Sequence, residues 1–302
     1  MAWQVYRLIF RLKTPLHVGR RGWGIIQRTR PYLMGKNLWA AATASLTRLL
    51  GSDDYETIGR ALQENALFTY FYPALDVGRP LMPCYGDHGL RYGDLAGEEF
   101  EFRFIGSYAS TAIDPMAQAA EEASLHEVEV LLPHTRDKGE QVYLHGYLFI
   151  REGARIAGRP LDVLLRNVLS EVQVGGERGY GYGRLLRHDL KSWQGRLFNQ
   201  YKVDDLILTI PTGLPLPAHA SIEGLFAWGD IEPLTGREWG KFPPDEDLRK
   251  GQTQREGAGQ VMPQSGEIAV CYVPGSVPGD VYTFEFDPKR YGILKAKERD
   301  LA

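Results

Sequence analysis

Five glycines fall within nine residues of this chain, in the run from Gly175 to Gly183 with the sequence GGERGYGYG. Glycine has no Cβ and adopts positive φ readily, so the run permits tight turns and close approach of another backbone or a ligand. A helical apolar pattern over residues 160–172 precedes the run, and a strand pattern over 184–190 follows it. A dinucleotide-binding loop has the opposite context, after a strand and before a helix. The run therefore predicts a helix-to-strand connection and excludes a Rossmann loop.

The side chains within this run add charge and stacking surfaces to the exposed backbone. Arginines supply positive charge and tyrosines supply faces on which bases stack, and glycine amides suit a sugar-phosphate backbone. The candidate RNA-binding residues of the run are Gly176, Arg178, Gly179, Tyr180, Gly181, Tyr182 and Arg184. The alternative is an ordinary flexible connection without a ligand.

The positive charge of the chain is concentrated at its N-terminal end. Residues 1–52 contain nine Lys or Arg and no Asp or Glu, a formal charge of +9, so the remainder carries −12 of the total −3. Such asymmetry is typical of a phosphate-binding face, and the alternative is a solvated basic surface balanced by acidic loops. The basic loop at 14–35 precedes a helix N-terminus, which favours anions. Its candidate RNA-binding residues are His17, Arg20, Arg21, Arg28, Arg30 and Lys36.

Other kinds of site have little support in the sequence. Cys84 and Cys271 lie far apart without CxxC or His-spaced companions, so we expect free thiols, no zinc site and no cofactor. No apolar run approaches the roughly 20 residues of a membrane span, and we expect a cytoplasmic protein without a membrane partner. His17 could act as a general base, because histidine titrates near neutral pH, although a loop histidine is more often structural.

The hydropathy pattern predicts an α+β fold. The order of the main elements is β, α, an elaborated ββ, α, β, which is the ferredoxin-like arrangement and a common RNA platform. We predict a core at 1–190 with an irregular insertion near 73–100 and a protruding hairpin near 108–140, and a β-rich C-terminal domain or degenerate second core at 191–302. Strands are predicted at 3–12, 100–104, 109–115, 125–130, 141–151, 184–190, 205–210, 268–273 and 282–286, an extended segment at 68–72, and helices at 38–50, 54–64 and 160–172.

Four motifs in this order resemble the RAMP superfamily, the CRISPR effector proteins that bind guide RNA. They are Pro-Leu-His-Val-Gly at 15–19, Tyr-Leu-Met-Gly at 32–35, the segment from Ser110 to Glu129, and the glycine-rich run. The resemblance covers about residues 3–190, and the segment at 229–238 is similar to a segment expected in type III subunits of this superfamily. The resemblance implies that the hairpin near 108–140 is a thumb that wedges between guide and target nucleotides. The thumb residues would be Thr111, Ile113, Asp114, Leu125 and His126.

The departures from the family pattern shape the functional prediction. Members that cleave target RNA carry an Asp after the first strand, but residues 13–36 contain no acid. Processing nucleases carry the glycine loop close to the C-terminus, whereas the chain continues here from Gly183 to residue 302. We therefore expect a non-catalytic, guide-RNA-binding structural subunit of a type III-like ribonucleoprotein in antiviral defence, with guide RNA, target RNA and other effector subunits as partners. The alternatives are a metal-independent endoribonuclease that uses His17 and a protein-protein scaffold.

Overall fold

The structure, a computed structural model, describes residues 2–114, 116, 118–120, 124–234 and 269–297. The α-helices are α1 Gly35–Leu49, α2 Tyr55–Asn65, α3 Gly97–Phe104 and α4 Leu161–Val168. The strands up to residue 192 are β1 Trp3–Leu12, β2 Gly19–Trp23, β3 Ile26–Thr29, β4 Ala66–Phe68, β5 Tyr72–Ala74, β6 Pro83–Gly86, β7 Gly89–Tyr92, β8 Leu95–Ala96, β9 Ile105–Ser110, β10 Ile113–Asp114, β11 Ala119–Ala120, β12 His126–Leu131, β13 Tyr143–Arg151, β14 Arg155–Ile156, β15 Arg159–Pro160, β16 Glu171–Gln173 and β17 Arg184–Ser192. The later strands are β18 Val203–Asp204, β19 Ile207–Ile210, β20 Ala220–Ser221, β21 Ala227–Trp228, β22 Ile231–Leu234, β23 Ala269–Tyr272, β24 Val277–Pro278, β25 Tyr282–Asp287 and β26 Ile293–Ala296.

A central sheet with the strand order β16-β17-β1-β13-β4 organises the first part of the chain. Its middle strand β1 pairs antiparallel with β13, from Trp3 opposite Arg151, and with β17, where Leu12 lies opposite Leu185. Helices α1 and α4 pack against one face of this sheet. The α+β prediction is confirmed, and β1, α1 and α2 confirm the elements expected at 3–12, 38–50 and 54–64.

Strand β13 is buried on both of its faces. Leu144 and Leu148 point into the cluster formed with the helices, whereas Tyr147 and Phe149 point into a second cluster with Phe286 of the C-terminal sheet. This second sheet has the order β18-β19-β25-β26-β20-β23-β22. Because β13 lies between two layers, it is apolar almost throughout rather than alternating, as is typical of strands covered on both sides.

The segment expected as a strand at 100–104 is helical, and this prediction was wrong. Phe100 and Phe104 are one helical turn apart, are both fully buried, and stack with ring centroids 4.7 Å apart. Phe102, between them, is 56% exposed. The aromatic alternation suggested a strand, but burial follows the helical period of i and i+4. Residues 83–96 of the expected irregular insertion likewise form a small sheet, β6-β7-β8.

Two further corrections concern the neighbourhood of the candidate site. The basic loop contains the hairpin β2–β3, and β3 pairs parallel with β12 through Ile26 opposite Glu127. The helix expected over 160–172 ends at Val168, and β16 then pairs with β17. Val172 of β16 lies opposite Leu185 of β17, and this pairing makes the segment a strand although its burial would also fit a helix. The glycine-rich run is therefore the loop of a β-hairpin and not a helix-to-strand connection.

Candidate functional site

The two ends of the glycine-rich run are hydrogen-bonded to the segment that follows β1. The amide of Gly183 donates to the carbonyl oxygen of Pro15 at 2.7 Å, and the amide of Gly176 donates to that of His17 at 2.9 Å. A Cβ on Gly183 would lie 1.8 Å from the carbonyl oxygen of Val174, and both Gly183 and Gly175 have positive φ. Only glycine fits these two positions.

The middle of the run is a single 3-10 turn, Arg178–Tyr180, whose three residues are all exposed. The side-chain amide of Gln173 donates to the carbonyl oxygens of Arg178 and Tyr182, both at 2.9 Å, and so closes the loop from inside. Tyr180 is 74% exposed, which leaves its ring available as a stacking face. Tyr182 is less exposed, and its ring centroid lies 5.8 Å from that of Tyr108 on β9.

His17 joins the glycine-rich run to β12. Its ring is buried, at 5% exposure, and the ring Nδ1 lies 2.7 Å from the carbonyl oxygen of Glu129. A carbonyl can only accept, so Nδ1 carries the proton and donates it. A Cβ on Gly176 would meet the same ring at 2.9 Å. This arrangement is that of a positioning residue, because the ring is enclosed by the elements it connects.

Arg20 on β2 and Arg30, directly after β3, are paired with acids on or directly before β22. Arg30 is 4% exposed and lies 3.1 Å from a carboxylate oxygen of Glu232, and Arg20 reaches the other oxygen at 3.4 Å. His219 Nε2 bonds to Glu232 at 2.6 Å, and Arg20 also approaches Asp230 at 3.5 Å. Burial alone would raise the pKa of Glu232, but the hydrogen bond to His219 and the charges of Arg30 and Arg20 lower it to about 2.

Further candidate cations have neighbours of their own. Arg28 lies 3.3 Å from the carboxylate of Glu129, and Arg184 lies 2.5 Å from that of Glu171. Lys36 lies in the first turn of α1, half-buried, and Arg21 lies on β2. The basic stretch is thus partly neutralised by acids from distant parts of the chain. The sequence could not show this, because Arg30 and Glu232 are separated by 202 positions.

The expected thumb residues lie beyond and along the hairpin of β9 and β12. The antiparallel ladder runs from Ile105 opposite Leu131 to Ser110 opposite His126, and a short pair, β10–β11, extends it. Thr111 Oγ1 lies 2.6 Å from Ser124 Oγ across the hairpin. Apolar side chains project outward: Ile113 is 70% exposed and Leu125 is also exposed. Asp114 lies on β10, and Pro115 lies outside the described residues.

A cleft on the outer side of the glycine-rich run brings in residues that the sequence reasoning missed. It has a volume of about 510 Å³ and lies between the run, β16 and the last turns of α1. On α1 the missed residues are Ser45 and Arg48, which had only been counted as part of the helix or of the charge excess, and the lining residues of β16 were not candidates either. The lining residues are Ser45, Arg48, Glu171, Val172, Gln173, Arg178, Gly179, Gly181 and Arg184.

Metal and thiol chemistry gain no support from the described residues. Within them, no three His, Cys, Asp or Glu side chains group closely enough to hold a metal ion. Cys84 and Cys271 are free thiols, and burial raises the pKa of Cys271 to about 12. No helix in the described part of the chain combines the length and apolarity needed to cross a membrane.

Comparisons with known proteins identify a fold and not a family. No family model matches the sequence, and no curated protein matches it. The structure is similar to a chain in the cryo-EM structure of the type III-B Cmr-beta bound to cognate target RNA and AMPPnP, with a TM-score of 0.52 and 12% identity over 90% of this chain and 85% of that chain. Chains from the apo and the target-RNA-bound Cmr-beta match over 61% of this chain at 14% identity, with TM-scores of 0.43 and 0.40. The first likeness, to a type III chain, agrees with the resemblance drawn from the sequence, at the level of the fold.

Proposed function

We propose that this chain is a guide-RNA-binding, non-catalytic structural subunit of a type III-like CRISPR ribonucleoprotein effector complex that acts in antiviral defence. One observation carries the proposal. Three elements predicted separately, the segment after β1, the glycine-rich run and the hairpin of β9 and β12, meet at His17 through the hydrogen bonds to Gly176 and Glu129. They carry three of the four motifs that resemble the RAMP superfamily.

We further infer that β17, β1, β13 and β4, with α1 and α4, form a ferredoxin-like core. The support is the strand order, in which the first strand pairs with both the last and the third. A sheet of this kind presents a surface on which RNA bases and backbone can lie. The hairpin beyond β9 and β12 then acts as the thumb, and the exposed Ile113 and Leu125 would contact the guide-target duplex. The fold likeness to a chain of a complex that binds target RNA supports this assignment.

The buried position of His17 favours a binder over the endoribonuclease. A general base must reach the proton that it removes, within about 3 Å or through one water. Because Nδ1 of His17 donates its proton to the carbonyl oxygen of Glu129, a base would have to act through Nε2. At 5% exposure, the enclosed ring leaves Nε2 little access to a substrate. The ion pairs of Arg20 and Arg30 within the chain also reduce the need for an acidic neighbour on the basic face, which the scaffold alternative requires.

The direct test is binding of a single-stranded RNA of guide length by the full chain. Fluorescence anisotropy over a salt series should give a linear decrease of log K with log salt, with a slope of about −0.7 per neutralised phosphate. Absence of binding, or affinity independent of salt, would contradict the proposal. Incubation of repeat RNA in EDTA should leave it intact, and cleavage that disappears in His17→Ala would instead support the nuclease.

The exposed tyrosine of the glycine-rich run allows a matched pair of variants. Stacking of one base on an aromatic ring contributes about 1–3 kcal/mol, so Tyr180→Ala should weaken RNA binding by about tenfold. Tyr55 on α2 is similarly exposed but lies outside the candidate site, and Tyr55→Ala should leave the affinity unchanged. Equal RNA affinities of the two variants would show that Tyr180 does not contact the RNA.

A further inference from the structure

The cleft between the glycine-rich run and α1 has the composition of a phosphate site. Its walls come from the last turns of α1, from β16 and from the run itself. With a volume of about 510 Å³, it is an open groove on the surface rather than an enclosed cavity. The lining consists mainly of arginine, serine, glutamine and glycine rather than of apolar side chains, so an apolar ligand does not fit it.

The charge balance of the cleft differs from that of the basic hairpin β2–β3. Arg20, Arg28 and Arg30 are each paired with an acid. In the cleft, three guanidinium groups face one carboxylate, that of Glu171, which leaves a net charge of +2. Arg48 and Arg178 have no ion-pair partner among the described residues. The cleft therefore holds two arginines beside the glycine-rich run whose charge is not neutralised by an acid of the described residues.

The backbone of the run leaves room for a ligand. A Cβ added at Gly179 or at Gly181 would meet no atom within 4 Å, so open space borders both residues. Guanidinium groups bind phosphate oxygens in a planar, bidentate geometry, and a serine hydroxyl adds one more donor. Ser45 is half-buried, one helical turn before Arg48, and their side chains lie 3.4 Å apart.

We propose that this cleft binds the phosphate of one nucleotide unit of an RNA chain, through Arg48, Arg178 and the hydroxyl of Ser45. The inference rests on the proposed function, in that the RNA is the guide, and it names the surface that takes the phosphate. It shifts the main phosphate contact from the basic hairpin to α1 and the glycine-rich run. Arg184 stays paired with Glu171 and forms the wall of the site.

A purely structural role of Arg48 predicts a different result. Arg48 lies in the last turn of α1, where a positive charge stabilises the helix dipole by about 0.3–1 kcal/mol. If that were its whole role, its replacement would lower the stability of the protein without an effect on ligand binding. Thermal unfolding measured alongside binding separates the two roles.

The test compares the double variant R48Q/R178Q with the control R60Q. Arg60 is an exposed arginine on α2 that is paired with Glu56. With single-stranded RNA of guide length at 150 mM salt, the double variant should bind roughly tenfold more weakly or worse, because two charged contacts are lost. Its salt slope should become shallower by about 0.7, because one neutralised phosphate is lost. R48K/R178K, which retains both charges, should recover much of the affinity.

A small probe separates this inference from the proposed function. Uridine 5′-monophosphate, titrated by NMR or calorimetry into the full chain, should bind the wild type and R60Q but not R48Q/R178Q, and uridine should not bind. If RNA binds the wild type and R48Q/R178Q equally, the cleft assignment is overturned and the proposed function stands. If the monophosphate binds at the cleft but RNA does not bind, the proposed function fails, and the cleft is a phosphate site that does not take an RNA chain. If the double variant changes neither the binding of the monophosphate nor that of RNA, the cleft assignment is overturned. It is also overturned if neither ligand binds the wild type.

Discussion

Alanine substitutions along the glycine-rich run should differ in cost according to the surroundings of each glycine. Gly179 has no positive φ, and no atom lies within 4 Å of the position that an added methyl group would take, so Gly179→Ala should change the free energy of unfolding by less than about 0.5 kcal/mol. Gly181 has a φ of 85° with open space around it, so Gly181→Ala should cost about 1 kcal/mol for the left-handed conformation alone.

Gly183 combines a positive φ with a clash and therefore should cost the most. Its φ is 76°, and an added Cβ would lie 1.8 Å from the carbonyl oxygen of Val174. Relief of that clash would break the hydrogen bonds of Gly183 with Val174 and Pro15, worth about 1 kcal/mol each. Together with about 1 kcal/mol for the left-handed conformation, these losses should lower the free energy of unfolding of Gly183→Ala by about 3 kcal/mol.

The assay is urea denaturation of the full chain, followed by the fluorescence of its six tryptophans. The expected order of destabilisation is Gly183→Ala, then Gly181→Ala, then Gly179→Ala, which serves as the matched control. At about 2 °C per kcal/mol for a chain of this size, the first variant should also lower Tm by about 6 °C. A Gly183→Ala variant as stable as Gly179→Ala would refute the hydrogen bonding described between the run and the segment after β1.

Two pH effects and one charge substitution give further predictions. The folded pKa of Glu232, about 2, lies below its ordinary value of 4.5, so its ion cluster contributes stability above about pH 4.5 that is lost as the pH falls towards 2. Glu232→Gln should cost about 3 kcal/mol at pH 7 and remove this acid dependence, as measured by denaturation from pH 7 to 3. Burial, with the nearby charge of Arg7, lowers the pKa of His145 to about 4, so stability should also fall between about pH 6.5 and 4 as the unfolded chain takes up a proton. His145→Leu should flatten the curve in that window, and an unchanged curve would contradict the neutral buried state.

The sequence predicted local elements well and distant pairings poorly. The alternation of β1 and the apolar face of α1 are local signals, since both depend on neighbours within a few positions. The β2–β3 hairpin was missed because its support is the parallel pairing of Ile26 with Glu127, about a hundred positions away. The ion pair of Arg30 with Glu232 was invisible for the same reason. The strand prediction at 100–104 was wrong because three alternating aromatic residues, Phe100, Phe102 and Phe104, fit a strand as well as a helix.

The residues of the candidate site were likewise predicted where the signal is local and missed where it depends on distant pairings. The glycines of the run were found because composition within nine residues is a local signal. Arg48 was missed because nothing near it in sequence distinguishes it from any exposed arginine in a helix. Only the pairing of β16 with β17 places the run beside the end of α1. The role of His17 also depends on β12, which lies more than a hundred positions further along the chain.

The position of β1 in the middle of the central sheet has a consequence for synthesis. Both of its partners come late, since β13 ends at Arg151 and β17 at Ser192. At about 5–20 residues per second, roughly 10–40 s pass between the emergence of β1 and that of its last partner. During this interval Leu8 and Phe10 have no sheet to join, whereas α1 and α2 can form from local contacts alone. The glycine-rich run pairs with the segment after β1 only when β17 has been synthesised, so the candidate site is among the last parts of residues 1–192 to form on the ribosome.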